Sequence, residues 1–210
     1  MLDVEGFILV GGKSSRMGRD KSRLLFGGQT AVERIAAELR SATSRVSLVG
    51  SGNSSPDFKV VPDLHTSWGA LGGIHAALSA CRTNWALIVA CDTPFITRDL
   101  LLRLQTLIQP DLPDAIVPIQ PDGRPQPLCA LYQREPCLRE AEKLISEGEH
   151  TPRALLANVR TRWVRPEELN DLPGAENFFF NVNTPADYEQ AQQTLKRSPQ
   201  ATAGGSDSRV

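Results

Sequence analysis

Short apolar runs alternate with segments of helical periodicity along most of this chain, and that alternation restricts the fold more than any other feature. The run Trp85–Ala90 is almost wholly apolar, as a strand covered on both faces of a sheet should be. In 29–40 the apolar residues instead recur at the three- and four-residue spacing of a helix. Strands that alternate with helices form mostly parallel sheets. The sequence therefore predicts an α/β fold, a three-layer, Rossmann-like, mostly parallel sheet with helices on both faces.

The same patterns give the extent of each predicted element. We expect strands at 6–10, 45–49, 58–61, 85–90, 115–119, 128–132, 161–164 and 178–182. We expect helices at 29–40, 71–80, 99–108, 134–146, 152–158 and 185–195, with Thr97 and Thr184 as caps. Residues 198–210 are rich in Ser, Gly, Ala and Thr and lack an apolar period. We therefore expect a single domain over 1–197 and a disordered tail over 198–210.

The charge and composition of the chain argue against several classes of function. The formal net charge of −1 gives none of the bulk basicity that favours binding to nucleic acid or to an anionic membrane. No apolar stretch approaches the roughly 20 residues of a membrane span, and the acidic N-terminus is unlike a secretory leader. Because the four cysteines show no CxxC spacing, we expect free thiols and no structural zinc. These features predict a cytoplasmic protein, which we expect to be a monomer.

A glycine pair and a cluster of positive charge follow the first predicted strand. Gly11 and Gly12 stand directly after the apolar run, and five Lys or Arg residues fall within the next eleven positions. The ATPase phosphate loop needs another glycine five positions before Gly12, where this chain has phenylalanine. The glycine pair still allows backbone N–H groups to approach an oxyanion, and Ser14, Arg16 and Lys21 add donors and charge. We therefore predict a phosphate-binding loop; the alternative is a solvated basic loop.

Carboxylates follow two other predicted strands, at the end of the sheet where ligands of parallel α/β folds bind. Asp92 comes directly after the apolar run that ends at Cys91, and Asp63 follows the strand that ends at Val61. Carboxylates beside bound phosphates are the usual protein ligands of Mg²⁺, so we predict that Asp92 binds this metal. The alternative is that Asp92 caps the next helix, but Thr97 stands closer to that helix.

Two asparagines near the end of the chain are further candidates. Polar and apolar residues alternate over 178–183, which places Asn181 and Asn183 on one face of the predicted strand. Amide oxygens complete metal shells or bind the polar edge of a base or pterin. Asn183 directly precedes Thr184, so the alternative for Asn183 is a helix cap. The three histidines have no triad-like setting, and we assign them no catalytic role.

Four motifs follow one another along the chain. They are Leu9-Val10-Gly11-Gly12 with Ser15-Arg16-Met17-Gly18, Cys91-Asp92-Thr93-Pro94, Arg124-Pro125-Gln126-Pro127-Leu128 and Asn181-Val182-Asn183-Thr184-Pro185. Together they resemble the molybdenum cofactor guanylyltransferase family, the MobA type. The resemblance implies a fold of the nucleotide-diphospho-sugar transferase type, Mg²⁺ as cofactor, and transfer of GMP from GTP to molybdopterin with release of pyrophosphate. It also implies transient contact with cofactor-biosynthesis proteins and acceptor molybdoenzymes.

The motifs and the resemblance together assign roles to individual residues. Arg16 and Lys21 would neutralise the triphosphate, and Asp92 would hold Mg²⁺. Asn181 and Asn183 would face the pterin-bearing acceptor or the metal. The nucleotide-binding residues would be Leu9, Val10, Gly11, Gly12, Ser14, Lys21, Asp63 and Asp92.

Three alternatives remain open. A cytidylyltransferase acting on the same cofactor would differ in its base contacts, and the loop 50–53 departs from the family's asparagine-bearing version there. A sugar-phosphate nucleotidyltransferase would share the first motif. A non-catalytic nucleotide or cofactor carrier would keep the glycines and basic residues, but it would have no need of the carboxylate of Asp92.

Overall fold

The computed structural model describes residues 3–11, 24–50, 57–63, 65, 68–109 and 113–197. Within these ranges the strands are β1 (Val4–Leu9), β2 (Leu25–Phe26), β3 (Gln29–Thr30), β4 (Arg45–Val49), β5 (Lys59–Val61), β6 (Trp85–Ala90), β7 (Ala115–Pro118), β8 (Cys129–Gln133) and β9 (Thr161–Val164). The helices are α1 (Ala31–Ala42), α2 (Gly69–Ala80), α3 (Arg98–Thr106), α4 (Arg134–Ser146), α5 (Pro152–Asn158) and α6 (Pro185–Arg197).

The described strands form one seven-stranded sheet and one small hairpin. The order in the sheet is β5-β4-β1-β6-β8-β7-β9, and β2 pairs with β3 apart from it. Strands β5, β4, β1 and β6 are parallel neighbours, as are β7 and β9. Only β8, among the described strands of the sheet, runs antiparallel to both of its neighbours. The prediction of a mostly parallel sheet is confirmed.

Helices cover both faces of this sheet, because alternate residues of each central strand point to opposite sides. On one face, Ile8 of β1 packs in a core with apolar residues of α1 and α3. On the other face, Phe7 packs in a core with residues of α2, α4 and α5. Every residue of β6 is buried, as its apolar sequence predicts. The three-layer architecture is therefore confirmed.

The predicted strand at 178–182 is wrong. Ala175–Asn177 forms a 3-10 turn, and the described residues after it run without strand pairing to α6. Phe178 and Val182 are buried, so the alternation in sequence does reflect burial. The backbone bonds, however, close a turn from Phe180 to Asn177 and join the N–H of Val182 to a loop carbonyl. Burial in turns and burial in a strand therefore leave the same sequence pattern here.

The hairpin of β2 and β3 was not predicted, and its second strand occupies the first two residues of the predicted helix 29–40. Gly27 and Gly28 form its turn with φ values of 60° and 89°, which favours glycine at both positions. Helix α1 therefore begins at Ala31, two residues later than predicted. Its cap is Thr30, whose Oγ1 accepts a 3.1 Å hydrogen bond from the N–H of Glu33 while the Glu33 carboxylate accepts from the Thr30 N–H.

Several boundaries agree with the sequence-based expectation. The predicted ranges 45–49, 85–90, 134–146, 152–158 and 161–164 match the observed elements. None of the helices in the described part of the chain has the length and apolar character needed to cross a membrane. The predicted tail at 198–210 lies outside the described residues, so the division into a 1–197 domain and a tail stays a prediction.

Candidate active site

The carboxyl ends of four parallel strands meet at one edge of the sheet, and backbone hydrogen bonds continue the strands into their loops. The N–H of Cys91 donates to the carbonyl of Leu9 at 3.1 Å, and the N–H of Val10 donates to the carbonyl of Val49 at 2.8 Å. The N–H of Gly50 donates to the carbonyl of Val61 at 3.0 Å. These bonds order β5, β4, β1 and β6 side by side beyond their last paired residues. Of the sequence-predicted site residues, those at this edge are Leu9, Val10, Gly11, Asp63 and Asp92.

Glycines follow two of these strands, and the one at position 50 allows the strand ends to approach so closely. Gly50 has a φ of 133°, and a β-carbon there would lie 1.8 Å from the carbonyl oxygen of Val10. Gly11 has a φ of 127° and begins the loop after β1. Both conformations are rare for residues with a side chain. The backbone conformation at this edge therefore favours glycine at both positions.

The remainder of the predicted phosphate loop lies outside the described residues. Gly12, Ser14, Arg16 and Lys21 all fall in the interval 12–23. Their proposed contacts with a triphosphate stay predictions. The described part of the structure brings the end of β1, from which this loop departs, next to the strand end that carries Asp92.

Asp92 lies half-buried in a turn held by neighbours from three directions. The preceding N–H, that of Cys91, binds to β1, as described above. From α1, Nε of Arg34 donates to the carbonyl oxygen of Pro94 at 2.7 Å. From the other end of the chain, the N–H of Val182 donates to the carbonyl oxygen of Asp92 at 2.8 Å. Hydrogen bonds from three other parts of the chain therefore hold this turn.

The helix-cap alternative for Asp92 is wrong. The N-cap of α3 is Thr97, whose Oγ1 accepts a 3.3 Å hydrogen bond from the N–H of Leu100. Arg34 is a contact that sequence reasoning missed. Its position on α1 gives no sign of a bond to a loop sixty residues later, because only the packing of α1 against the sheet brings the two together.

The structure places the predicted acceptor residues beside the predicted metal ligand. Because the N–H of Val182 binds the Asp92 carbonyl, Asn181 and Asn183 flank the point where the two segments join. Asn181 is half-buried and Asn183 is exposed. They do not share a strand face, since no strand forms at 178–182.

The hydrogen bonds at the start of α6 show which residue caps this helix, the alternative role considered for Asn183. Oγ1 of Thr184 accepts from the N–H of Asp187 at 3.1 Å, so Thr184 provides the predicted cap. Oδ2 of Asp187 in turn accepts from the N–H groups of Thr184 at 2.8 Å and Asn183 at 2.9 Å. The cap is therefore formed by the Thr184 side chain, and Asn183 takes part in it through its backbone.

Asp63 has a structural contact of its own. Its Oδ1 accepts a hydrogen bond from the N–H of His65 at 2.9 Å, in the turn that leads to α2. A β-carbon at Gly72 of α2 would lie 2.8 Å from the carbonyl oxygen of His65 and 3.3 Å from Oδ1 of Asp63. The turn after β5 therefore packs directly on the first turns of α2, and Asp63 has little room to move.

The donor set fits Mg²⁺ held jointly by protein and substrate. Among the described residues, no group of three or more His, Cys, Asp or Glu side chains is placed to hold a metal ion. Mg²⁺ is usually bound through one or two carboxylates together with phosphate oxygens and water. A half-buried aspartate at the carboxyl end of β6, next to the loop predicted to bind phosphate, would supply the protein's share of such a site.

A mostly parallel sheet with a glycine turn and carboxylates at the carboxyl ends of its strands defines a nucleotide-binding protein of the α/β class. The particular family follows from comparison with known proteins. The family model of the MobA-like NTP transferase domain matches residues 6–164, so the chain belongs to this family. The resemblance found in the motifs is confirmed.

Individual relatives match over nearly their whole length. A probable molybdenum cofactor guanylyltransferase of Pelotomaculum thermopropionicum is 35% identical, with 94% of this chain and 96% of the relative covered. A molybdenum cofactor guanylyltransferase of Desulfosudis oleivorans is 30% identical, with 92% and 96% covered. The crystal structure of molybdopterin-guanine dinucleotide biosynthesis protein A from Archaeoglobus fulgidus superposes with a TM-score of 0.79 at 25% identity, over 91% of this chain and 98% of that one.

Proposed function

We propose that this protein transfers GMP from GTP to the terminal phosphate of molybdopterin, as its molybdenum cofactor. Pyrophosphate is released and molybdopterin guanine dinucleotide is formed. Family membership and the names of the relatives support this activity. The structural observation that carries the proposal is the bond from the Val182 N–H to the Asp92 carbonyl. It joins the strand end proposed for the metal and nucleotide to the segment proposed for the acceptor.

The reaction needs no nucleophile from the protein. An oxygen of the molybdopterin phosphate forms a bond to the α-phosphorus of GTP, and the bond from that phosphorus to the oxygen bridging to the β-phosphorus breaks. The bond's electron pair leaves with pyrophosphate. Because the attacking phosphate is already ionised at neutral pH, no general base is required. The protein contributes positioning and neutralisation of charge.

The described residues of the edge have distinct parts in this scheme. Leu9, Val10 and Gly11 line the nucleotide's path along the end of β1, and Asp63 contacts the nucleotide from the end of β5. The Leu9 side chain is fixed against α2, since a β-carbon at Gly73 would lie 3.0 Å from its Cδ1. Gly12, Ser14, Arg16 and Lys21 bind and neutralise the triphosphate, as the motif implies.

Asp92 would hold Mg²⁺ together with phosphate oxygens of GTP. The bound ion would supply charge neutralisation for the phosphoryl oxygens and the leaving pyrophosphate. The chain's own contribution is to keep the carboxylate in place through the contacts of Cys91, Val182 and Arg34 around the turn. Asn181 and Asn183 would face the acceptor. Cytoplasmic location, a monomeric state and transient contacts with other cofactor proteins belong to the same proposal.

Pyrophosphate release tests the function and its alternatives together. Purified protein would be incubated with Mg²⁺, molybdopterin and GTP, CTP or ATP in turn, with omission of molybdopterin as the control. We expect molybdopterin-dependent pyrophosphate with GTP and at least about tenfold lower kcat/KM with CTP, a difference of about 1.4 kcal/mol. Equal or better use of CTP would make the protein a cytidylyltransferase. Nucleotide binding without pyrophosphate from any nucleotide would make it a carrier and overturn the proposal.

A further inference from the structure

All three histidines of the chain meet at one place, although they are far apart in sequence. The ring centroids of His65 and His75 lie 5.1 Å apart, and those of His65 and Trp68 lie 6.3 Å apart. The ring of His150 lies 4.1 Å from that of Trp68, tilted by 30°. We call these four residues the ring cluster. It joins the turn after β5, the start and middle of α2, and the loop between α4 and α5.

The ring cluster is linked to Asp63 through the backbone of the turn. The N–H of His65 donates to Oδ1 of Asp63 at 2.9 Å. The N–H of Trp68 donates to the carbonyl oxygen of His65 at 2.8 Å. Trp68 is the N-cap residue of α2, and its indole packs against the rings of His65 and His150. A displacement of the Trp68 or His65 ring would therefore also move the Asp63 carboxylate.

His75 is the buried end of the cluster and is an unexpected residue for a helix core. It is 7% exposed, and its Nδ1 is buried with no hydrogen-bond partner among the described residues. Its Nε2 lies 4.0 Å from Oε1 of Glu142 on α4. An unpartnered buried ring nitrogen destabilises a fold relative to an apolar side chain of similar shape. Simple filling of space between α2 and α4 therefore does not account for a histidine at this position.

We propose that the ring cluster positions the carboxylate of Asp63 for nucleotide binding. The ring of His75 packs against the ring of His65, and the ring of His150 packs against the indole of Trp68. His65 and Trp68 then fix the turn that presents Asp63 at the carboxyl edge of the sheet. This inference rests on the proposed function, in which Asp63 contacts GTP.

Substitution of Trp68 tests the inference by separating GTP binding from chemistry. We expect Trp68→Ala to raise the KM for GTP about tenfold and to change kcat by less than about twofold, because a contact residue is misplaced while the reacting groups stay. Trp68→Phe keeps an aromatic face against His65 and His150, and should restore the KM to within about twofold of the wild type. A loss of thermal stability in Trp68→Ala with an unchanged KM would overturn the inference.

The matched control is Trp163→Ala. Trp163 lies in β9, at the opposite edge of the sheet from β5, and its side chain is partly exposed. Its removal should leave the KM for GTP unchanged. An equal rise of the KM in Trp68→Ala and Trp163→Ala would show a general effect of tryptophan removal and would overturn the inference.

A double-mutant cycle with Asp63→Asn tests whether the cluster acts through Asp63. If it does, Trp68→Ala should add no further rise of the KM in the Asp63→Asn background. Additive effects would overturn the inference, and so would an Asp63→Asn variant with normal KM. Neither result would affect the proposed transfer of GMP, which is judged on molybdopterin-dependent pyrophosphate release by the wild type. A normal KM in Asp63→Asn would remove only the nucleotide contact assigned to Asp63.

His150 offers a second variant in which the fold is at little risk, because it is exposed in the loop between α4 and α5. His150→Ala removes one side of the stack on Trp68 and should raise the KM for GTP about threefold, whereas His150→Phe should restore it. Should Trp68→Ala fail to fold, this pair decides the question. A KM for GTP that is the same in His150→Ala and the wild type would overturn the inference.

Discussion

Substitution of Gly50 by alanine tests the close approach of β1 and β4 on which the shape of the site depends. The added β-carbon would lie 1.8 Å from the carbonyl oxygen of Val10, at a φ of 133°. Contacts of this kind essentially never fall below 3.0 Å, so the strand ends must separate by more than an ångström. That movement would break the bond from the Val10 N–H to Val49 and the bond from the Gly50 N–H to Val61.

The magnitude follows from two separable contributions. The unfavourable φ costs about 1–3 kcal/mol for a residue with a side chain. Forced separation of a packed backbone adds about 1–3 kcal/mol. We therefore expect Gly50→Ala to lower the free energy of unfolding by about 4 kcal/mol. Gly11→Ala is the matched control, because its φ of 127° is similar but a β-carbon there meets no atom of the described residues within 4 Å. It should show the first contribution without the second.

Urea unfolding of both variants, followed by circular dichroism, measures the difference. The midpoint of Gly50→Ala should fall below that of Gly11→Ala by an amount equivalent to about 2 kcal/mol, with similar slopes. GTP binding by Gly50→Ala should also weaken, since Val10 moves with the strand end. Equal unfolding free energies in the two variants would refute the reasoning that close contact between these strand ends requires glycine at position 50.

Three further predictions concern individual side chains. Burial and the neighbouring His65 lower the pKa of His75, so the folded state favours the neutral ring. The free energy of unfolding should therefore fall as pH drops below about 6.5, where the unfolded ring binds a proton, and His75→Gln should flatten this fall in urea titrations at several pH values. Arg34→Gln should lower kcat about tenfold at a constant Mg²⁺ concentration, because the Pro94 carbonyl loses its donor and the turn that carries Asp92 is held less firmly. Unaltered steady-state kinetics would contradict this. Asn181→Ala should weaken molybdopterin binding and keep the Kd for GTP within about twofold by calorimetry; loss of GTP binding instead would show that the two substrates are assigned the wrong way round.

Local sequence patterns predicted the architecture because a strand that is buried on both faces of a parallel sheet is a nearly continuous run of apolar residues. The apolar run Trp85–Ala90 and the strand Arg45–Val49 were placed correctly for this reason. The segment 178–182 failed because Phe178 and Val182 are buried within turns, which produce the same alternation. The hairpin before α1 does have a signal in the sequence, the adjacent Gly27 and Gly28 that form its turn.

In the candidate site, too, local patterns predicted some features and not others. Asp92 and Asp63 were predicted at the sheet edge because each stands within two residues of the end of a strand, and the structure places both there. The contacts that hold them were not predictable, since they join distant parts of the chain. Arg34 reaches a carbonyl on the loop after β6, and the ring cluster unites residues as far apart as His65 and His150. Such contacts depend on the packing of α1, α2 and α4, which no local pattern records.

The central claim is that the α-phosphorus of GTP is transferred to molybdopterin at a site that depends on Asp92. Its most direct test follows GTP labelled at the α- or the γ-phosphate in the presence of Mg²⁺ and molybdopterin. We expect the α-label in the dinucleotide product and the γ-label in pyrophosphate. Asp92→Asn should slow the transfer by about a hundredfold or more, whereas Asp99→Asn, which removes an exposed carboxylate of α3, should not. An α-label that never joins molybdopterin, or near-normal transfer by Asp92→Asn, would contradict the account.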